Sequence, residues 1–230
     1  MTRLIFVVEG QTEQTIVRDV LEPHLAAVGV FAAATRGGKV VAVERGHRQR
    51  GGGHYRNWRK DIVRLLSDRS DDLRVTTWFD LYGLPNDFPG IEAARAESDT
   101  RRRCELLEAA LEADLRRNGI GDERLIPYVQ RHETEALVLA SLHGLGDWLD
   151  SPEAIDGLRR LREELRDLAP EDVNDGEYTA PSKRLQRHVV GYQKVLHGPL
   201  AIQAVGLSAV RSSCPRFDGW VRKLESLGTA

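Results

Sequence analysis

The chain predicts an α/β fold: a mainly parallel sheet flanked by helices, followed by a C-terminal helical extension. Three observations carry this reading. Leu4-Ile5-Phe6-Val7-Val8 is an unbroken apolar run, the pattern of a strand buried on both faces. Further apolar runs then alternate with amphipathic stretches up to about residue 140. After that point only helical patterns recur. The expected division is an α/β domain over residues 1–140 and a helical extension over 141–230, packed on it.

The elements follow in order. Arg3 to Glu9 is the first strand. Glu13 to about Val28 is a helix, with Ile16, Val17, Val20, Leu21 and Leu25 on one face. Lys39 to Val43 is a short second strand, and Tyr55 to about Ser67 is the next helix. Leu73 to Leu81 is the third strand, with Val75, Trp78 and Phe79 as its apolar content. Gly83 to Gly90 is a loop, marked by Pro85 and Pro89. Thr100 to Asn118 is a long charged helix ended by Gly119, and Leu125 to Gln130 is the fourth strand. Glu133 to Ala140 and Pro152 to Leu168 read as helices, and Glu171 to Ala180 as irregular chain. Pro181 to His188, Pro199 to Val210 and Pro215 to Leu227 complete the set. Proline suits the first turn of a helix, where its missing N–H costs nothing.

Composition narrows the function. The 230 residues carry a formal net charge of −2. The whole molecule is therefore no polycation, and any nucleic-acid surface must be local. No apolar run reaches bilayer length, and the first residues lack the pattern of a secretory leader. A cytoplasmic protein without membrane contact is expected. Cys104 and Cys214 stand far apart and without nearby histidines, which argues against a disulfide scaffold or a zinc site.

The chemistry concentrates at strand ends. Glu9 directly follows the first buried strand; Gly10 lets the chain turn, Thr12 can cap the following helix, and Glu13 falls in its first turn. Open α/β sheets bind ligands at this end of their strands. The plainer reading is a loop acid plus an acid favoured by the helix dipole. Asp80 ends the third strand between Phe79 and Leu81. A buried carboxylate there needs hydrogen bonds, a counter-charge or a metal. If the first and third strands are neighbours, Glu9 and Asp80 converge, and a divalent ion would keep both ionised. Asp87 sits in a turn and fits a turn role. Glu133 opens the segment after the fourth strand and is the preferred acid there; Glu135 is expected on the opposite side.

Two basic stretches complete the candidates. The loop from Arg45 to Lys60 contains no acid. Arg48, Arg50, Arg56, Arg59 and Lys60 can meet phosphates, and Tyr55 and Trp58 can stack on bases. The alternative is a solvated loop with both aromatics in the core. Lys183, Arg184 and Lys194 can neutralise a phosphate, or simply face solvent.

Taken together, Val8-Glu9-Gly10-Gln11-Thr12-Glu13 and Asp80 resemble the Toprim domain. This is the metal-binding α/β fold of topoisomerases, primases and overcoming-lysogenization-defect (OLD) nucleases. Over nearly its whole length the chain is more closely similar to a family of small stand-alone Toprim-like proteins, often encoded beside ABC-type or AAA-type ATPases in bacterial defence islands. The shared marks are that first motif, Asp80-Leu81-Tyr82-Gly83-Leu84-Pro85, Gln130-Arg131-His132-Glu133-Thr134-Glu135-Ala136, Pro181-Ser182-Lys183-Arg184, and Gly206-Leu207 through Cys214-Pro215-Arg216-Phe217. The resemblance implies a nuclease using Mg²⁺ or Mn²⁺ on DNA or RNA, in anti-phage defence with a partner ATPase. It implies Glu9, Glu13, Asp80 and Glu133 as the metal set, with Glu9, Lys183 and Lys194 catalytic. Tyr82 departs from the family pattern, standing where a second acid is usual. Asp87, Glu133 or Glu135 would then have to supply the missing ligand. The alternative is an inactive Toprim-like adaptor that binds nucleic acid or an ATPase.

Overall fold

The computed structural model describes residues 1–37, 53–117, 123–173 and 179–228. Strand β1 (Thr2–Val8) leads into α1 (Gln11–Ile16). A π-helical stretch over Val17–Leu21 joins it to α2 (Glu22–Ala26). Then come β2 (Val30–Arg36), α3 (Tyr55–Leu66), β3 (Leu73–Asp80), α4 (Ile91–Ala96) and α5 (Thr100–Arg117). The short strands β4 (Leu125–Ile126) and β5 (Val129–Gln130) complete the sheet. The remaining helices are α6 (Glu135–Leu139), α7 (Leu142–Leu145), α8 (Pro152–Glu164), α9 (Pro181–His188), α10 (Lys194–Val205), α11 (Leu207–Ser213) and α12 (Pro215–Glu225).

The sheet runs β2-β1-β3-β4, every pair parallel, and β5 pairs with β3 beyond β4. Alternation along the strands divides the core. Leu4, Phe6, Val8 and Trp78 face the layer of α1, α2 and the C-terminal helices. Val7, Val75, Phe79 and Val129 face α3 and α5. The C-terminal helices share one continuous core with β1. Trp220 of α12 stacks on Tyr128, with centroids 4.1 Å apart, and its indole N–H donates to Thr76 Oγ1 at 3.0 Å. Among the described residues no helix is long and apolar enough to cross a membrane.

Several boundaries differ from the sequence reading. The second described strand is Val30–Arg36, which the sequence reading did not assign; the expected strand at Lys39–Val43 lies outside the described residues. Ala32, Ala33 and Ala34 give β2 weak strand propensity, and pairing with β1 compensates. The expected strand over Leu125–Gln130 is split by Pro127, which has no N–H for the ladder. Helix α10 begins at Lys194, so Pro199 lies inside it. It ends at Gly206, whose φ of +80° starts α11 instead. Helix α4 falls in a stretch that the sequence reading leaves unassigned, between the Gly83–Gly90 loop and the long charged helix.

Candidate functional site

Parallel pairing sets the carboxyl ends of β1 and β3 side by side, with Val8 opposite Trp78. Glu9 and Asp80 therefore meet. The Asp80 backbone N–H points to Glu9 Oε2 at 3.3 Å. Gly83 makes room for this carboxylate, since a Cβ there would stand 2.5 Å from both Glu9 oxygens. Helix α1 begins at Gln11, two residues before the expected start, and Glu13 is in its first turn. Glu13 is buried, and its Oε2 accepts the Gly10 N–H at 2.9 Å.

The segment after β5 closes over Asp80. Asp80 Oδ1 accepts both the Thr134 N–H at 2.9 Å and the Thr134 hydroxyl at 2.8 Å. His132 holds a left-handed φ of +64°, unusual for a residue with a side chain. Its Nε2 donates to the Glu171 carbonyl at 3.0 Å. Nδ1 is then the acceptor, and the Tyr82 hydroxyl donates to it. Tyr82 thus braces this turn.

That turn decides which acid faces inward. Glu135 is buried, and its Oε2 accepts from Lys194 Nζ at 2.9 Å, while Oε1 has no partner. Lys194 Nζ also stands 3.7 Å from Asp80 Oδ2. Glu133 turns toward α9, where its two oxygens accept the Ser182 N–H and hydroxyl at 2.9 and 3.0 Å. The expectation that Glu133 rather than Glu135 faces Glu9 and Asp80 reverses in the structure. The left-handed His132 stands directly before Glu133 in that turn, a feature residue spacing does not reveal. One signal was present: Glu135 heads the apolar run Ala136-Leu137-Val138-Leu139, all buried.

The electrostatics are those of crowded acids around one ammonium. Burial, and then the charge of Glu13, push the Glu9 carboxyl up to about 7. Burial raises Asp80 well above the usual range, and Lys194 opposes this. Glu135 is raised by burial against the same lysine. Burial works against the Lys194 ammonium, but Asp80, Glu135 and Glu13 together lift it above its ordinary value. Among the described residues no three His, Cys, Asp or Glu side chains form a ready-made metal-ligating group.

Residues 8–225 match the family described as a domain of unknown function, DUF4276. The chain belongs to that family. No curated protein matches it. Among solved structures, this DUF4276 chain is similar to the C-terminal region of the OLD protein of Burkholderia pseudomallei. That match has 15% identity and a TM-score of 0.44, and covers 100% of this chain and 98% of the other. The C-terminal region of the Xanthomonas campestris pv. campestris OLD protein matches with 16% identity and a TM-score of 0.41, over 99% and 94% of the two chains.

The described basic candidates of this DUF4276 chain sit on α3 and α9. Arg48 and Arg50 lie outside the described residues. Arg56 and Lys60 are exposed on α3. Arg59 is tied to Asp114 at 3.0 Å. Tyr55 and Trp58 are core residues, which corrects the expectation of base stacking: Trp58 is 2% exposed and lies 4.3 Å from Phe79, centroid to centroid. Asp87 accepts the Tyr55 N–H at 3.0 Å and so caps α3. Arg184 is held by Glu164 and the Thr179 carbonyl. Lys183 is exposed on α9 beside Ser182.

Proposed function

We propose that the protein is a divalent-metal-dependent phosphodiesterase that cuts nucleic acid, with DNA as the first substrate class and RNA as the second. One observation carries this reading: at the carboxyl edge of a parallel sheet Asp80 and Glu135 share one ammonium, and Glu9 lies against the Asp80 amide with Glu13 held at the adjacent Gly10 N–H. Mutual repulsion and burial disfavour that arrangement without a cation. The sequence likeness to Toprim proteins points the same way.

The residues fit such an ion by their chemistry. Carboxylate oxygens are the hard donors that Mg²⁺ and Mn²⁺ prefer. The buried Oε1 of Glu135 has no hydrogen-bond partner, so one donor stands ready. In this reading Glu9, Asp80, Glu13 and Glu135 hold the ion, and Glu133 serves as the cap of α9. Bound there, the metal supplies an activated water and charge stabilisation at phosphorus. The chain's own groups prepare the site. Thr134 fixes one Asp80 oxygen, leaving Oδ2 to face the site. The Asp80 and Gly10 amides orient Glu9 and Glu13. Exposed Lys183, Arg56 and Lys60, with Arg48 and Arg50, supply cations for the phosphate chain.

A second reading has its own observation. Tyr82 is engaged with His132 instead of carrying an acid, and Lys194 stands among the carboxylates. These features suit an adaptor that binds nucleic acid or an ATPase without turnover. The test is incubation with plasmid, linear DNA and RNA, with and without Mn²⁺, alone and with any neighbouring ATPase, beside Glu9→Gln and Asp80→Asn proteins. Metal-dependent cleavage lost in both variants supports the enzyme. Binding without cleavage under every condition supports the adaptor.

A further inference from the structure

We infer that the cavity beside the end of α8 binds a small amphipathic anion: a short apolar body carrying one carboxylate or phosphate-ester head. The inference does not depend on the metal reading, since neither Lys194 nor any of the acids around it lines this cavity.

The walls are apolar. The space measures about 340 Å³, at the small end of the roughly 300–1,000 Å³ usual for ligand pockets. Leu139 ends α6, Leu142 begins α7, and Leu165 follows α8 directly. With Val173 they belong to the main core, so the cavity opens onto the core itself. Leu168, also in the lining, is 45% exposed and leaves apolar surface in water. Such walls favour a ligand that brings apolar surface of its own. A bare inorganic ion gains nothing from them.

The charge in the cavity has one sign. Arg162, in the last turn of α8, and Arg166, just beyond it, line the space with His143, and no carboxylate does so among the described residues. Arg162 is partly buried. Among the described residues the Leu142 carbonyl is the only acceptor it meets, and its Nε is buried without a partner. A partly buried guanidinium without a counter-ion is disfavoured, and buried donors are seldom left unpaired. An anionic head at Arg162 supplies the missing charge and an acceptor, and carboxylates and phosphates are the groups a guanidinium binds best. Arg166 is held by Glu163 in a pair whose side chains are 66% and 67% exposed. Exposed pairs of this kind are weak, which leaves Arg166 able to turn to the same head. A neutral apolar molecule would leave Arg162 uncompensated, and a cation would be repelled. Apolar walls and unpaired guanidinium together select an anion with an apolar body.

The test separates head from tail. Octanoate, octyl phosphate, octylammonium and inorganic phosphate are titrated calorimetrically into the full chain at one ionic strength, below micelle-forming concentrations. At least one of the two octyl anions should bind saturably, one per chain, and the tighter of them identifies the head group. Octylammonium, with the same tail, and inorganic phosphate, without one, should each bind roughly tenfold more weakly or not at all. Arg162→Met keeps the apolar stem and removes the charge, so it should weaken the octyl anion by roughly tenfold or more. Arg159→Met, at an exposed arginine of α8 outside the cavity, should leave the affinity unchanged. Lack of saturable binding by both octyl anions in wild type overturns the inference. So does octylammonium binding as tightly as the anions, or inorganic phosphate doing so. Equal effects of Arg162→Met and Arg159→Met also overturn it, since they would report only general charge attraction. The comparison of ligands on wild type needs no variant, so a poorly folded Arg162→Met protein does not shield the inference.

Discussion

Replacing Glu9 by Gln isolates the energetic strain at the site. Glu9 has an ordinary value of 4.5 and is pushed to about 7 by burial and the neighbouring Glu13. Between those two pH values the folded metal-free protein keeps a proton that the unfolded chain has released. Stability contributed by this group is thus fully present below pH 4.5 and is lost as pH rises through 7. At about 1.4 kcal/mol per pH unit, the loss comes to roughly 3 kcal/mol. Glutamine has the same shape, carries no charge at any pH, and its carbonyl can still accept the Asp80 N–H. The variant therefore escapes the loss. It should match wild type near pH 4.5 and exceed it by roughly 3 kcal/mol at pH 8, which for a chain this long is about 6–12 °C in melting temperature. Changes at groups that titrate alike in both proteins cancel in the difference. The assay is thermal and urea unfolding of both proteins in chelator, from pH 4.5 to 8. Parallel stability curves across that range, or a variant less stable at pH 8, would refute the argument that Glu9 is held, partly buried, beside repelling acids.

Further outcomes are expected at and around the site. Mn²⁺ at about a hundredfold above its dissociation constant should stabilise wild type by roughly 2.7 kcal/mol, and both Glu9→Gln and Asp80→Asn should lose most of that gain in melts with and without metal. Gly83→Ala places a methyl 2.5 Å from both Glu9 oxygens, so calorimetry should show weaker Mn²⁺ binding while metal-free stability changes little; unchanged affinity would mean that Glu9 does not contribute. Thr134→Val removes one of the two bonds to Asp80 Oδ1, and since an intramolecular hydrogen bond contributes about 0.5–1.5 kcal/mol net, urea midpoints should fall accordingly. Replacing Arg48, Arg50 and Arg56 by Ala should flatten the slope of log affinity against log salt for nucleic acid by about one unit per lost phosphate contact; equal slopes would place the binding path elsewhere. Trp58→Ala should cost about 3–5 kcal/mol as a core truncation, and its salt slope for nucleic acid should match that of wild type.

The sequence alone determined the strand-end chemistry. An apolar run of strand length followed by Glu9-Gly10 admits few structures besides a buried strand turning into a helix, so Glu13 had to fall in that helix's first turn. Asp80 was readable as a buried acid because Phe79 and Leu81 flank it. Helices α5, α9 and α12 were legible from periodicity, prolines and a terminal glycine, all of them local signals. Only the tertiary structure decided what lay beyond local reach. Strand β2 is Ala-rich, and its place is fixed by pairing with β1, not by its own propensity. Whether Tyr55 and Trp58 meet bases or the core depended on where Phe79 and Phe88 lie. The choice between Glu133 and Glu135 was made in a turn that contains the left-handed His132, held by Tyr82 and the Glu171 carbonyl 50 and 39 positions away. Lys194 reached Asp80 and Glu135 only because α10 packs against α1 and α6. Spacing constrains residues within one element; which side chains from separate elements share a site is set by packing, and no single stretch of sequence encodes that.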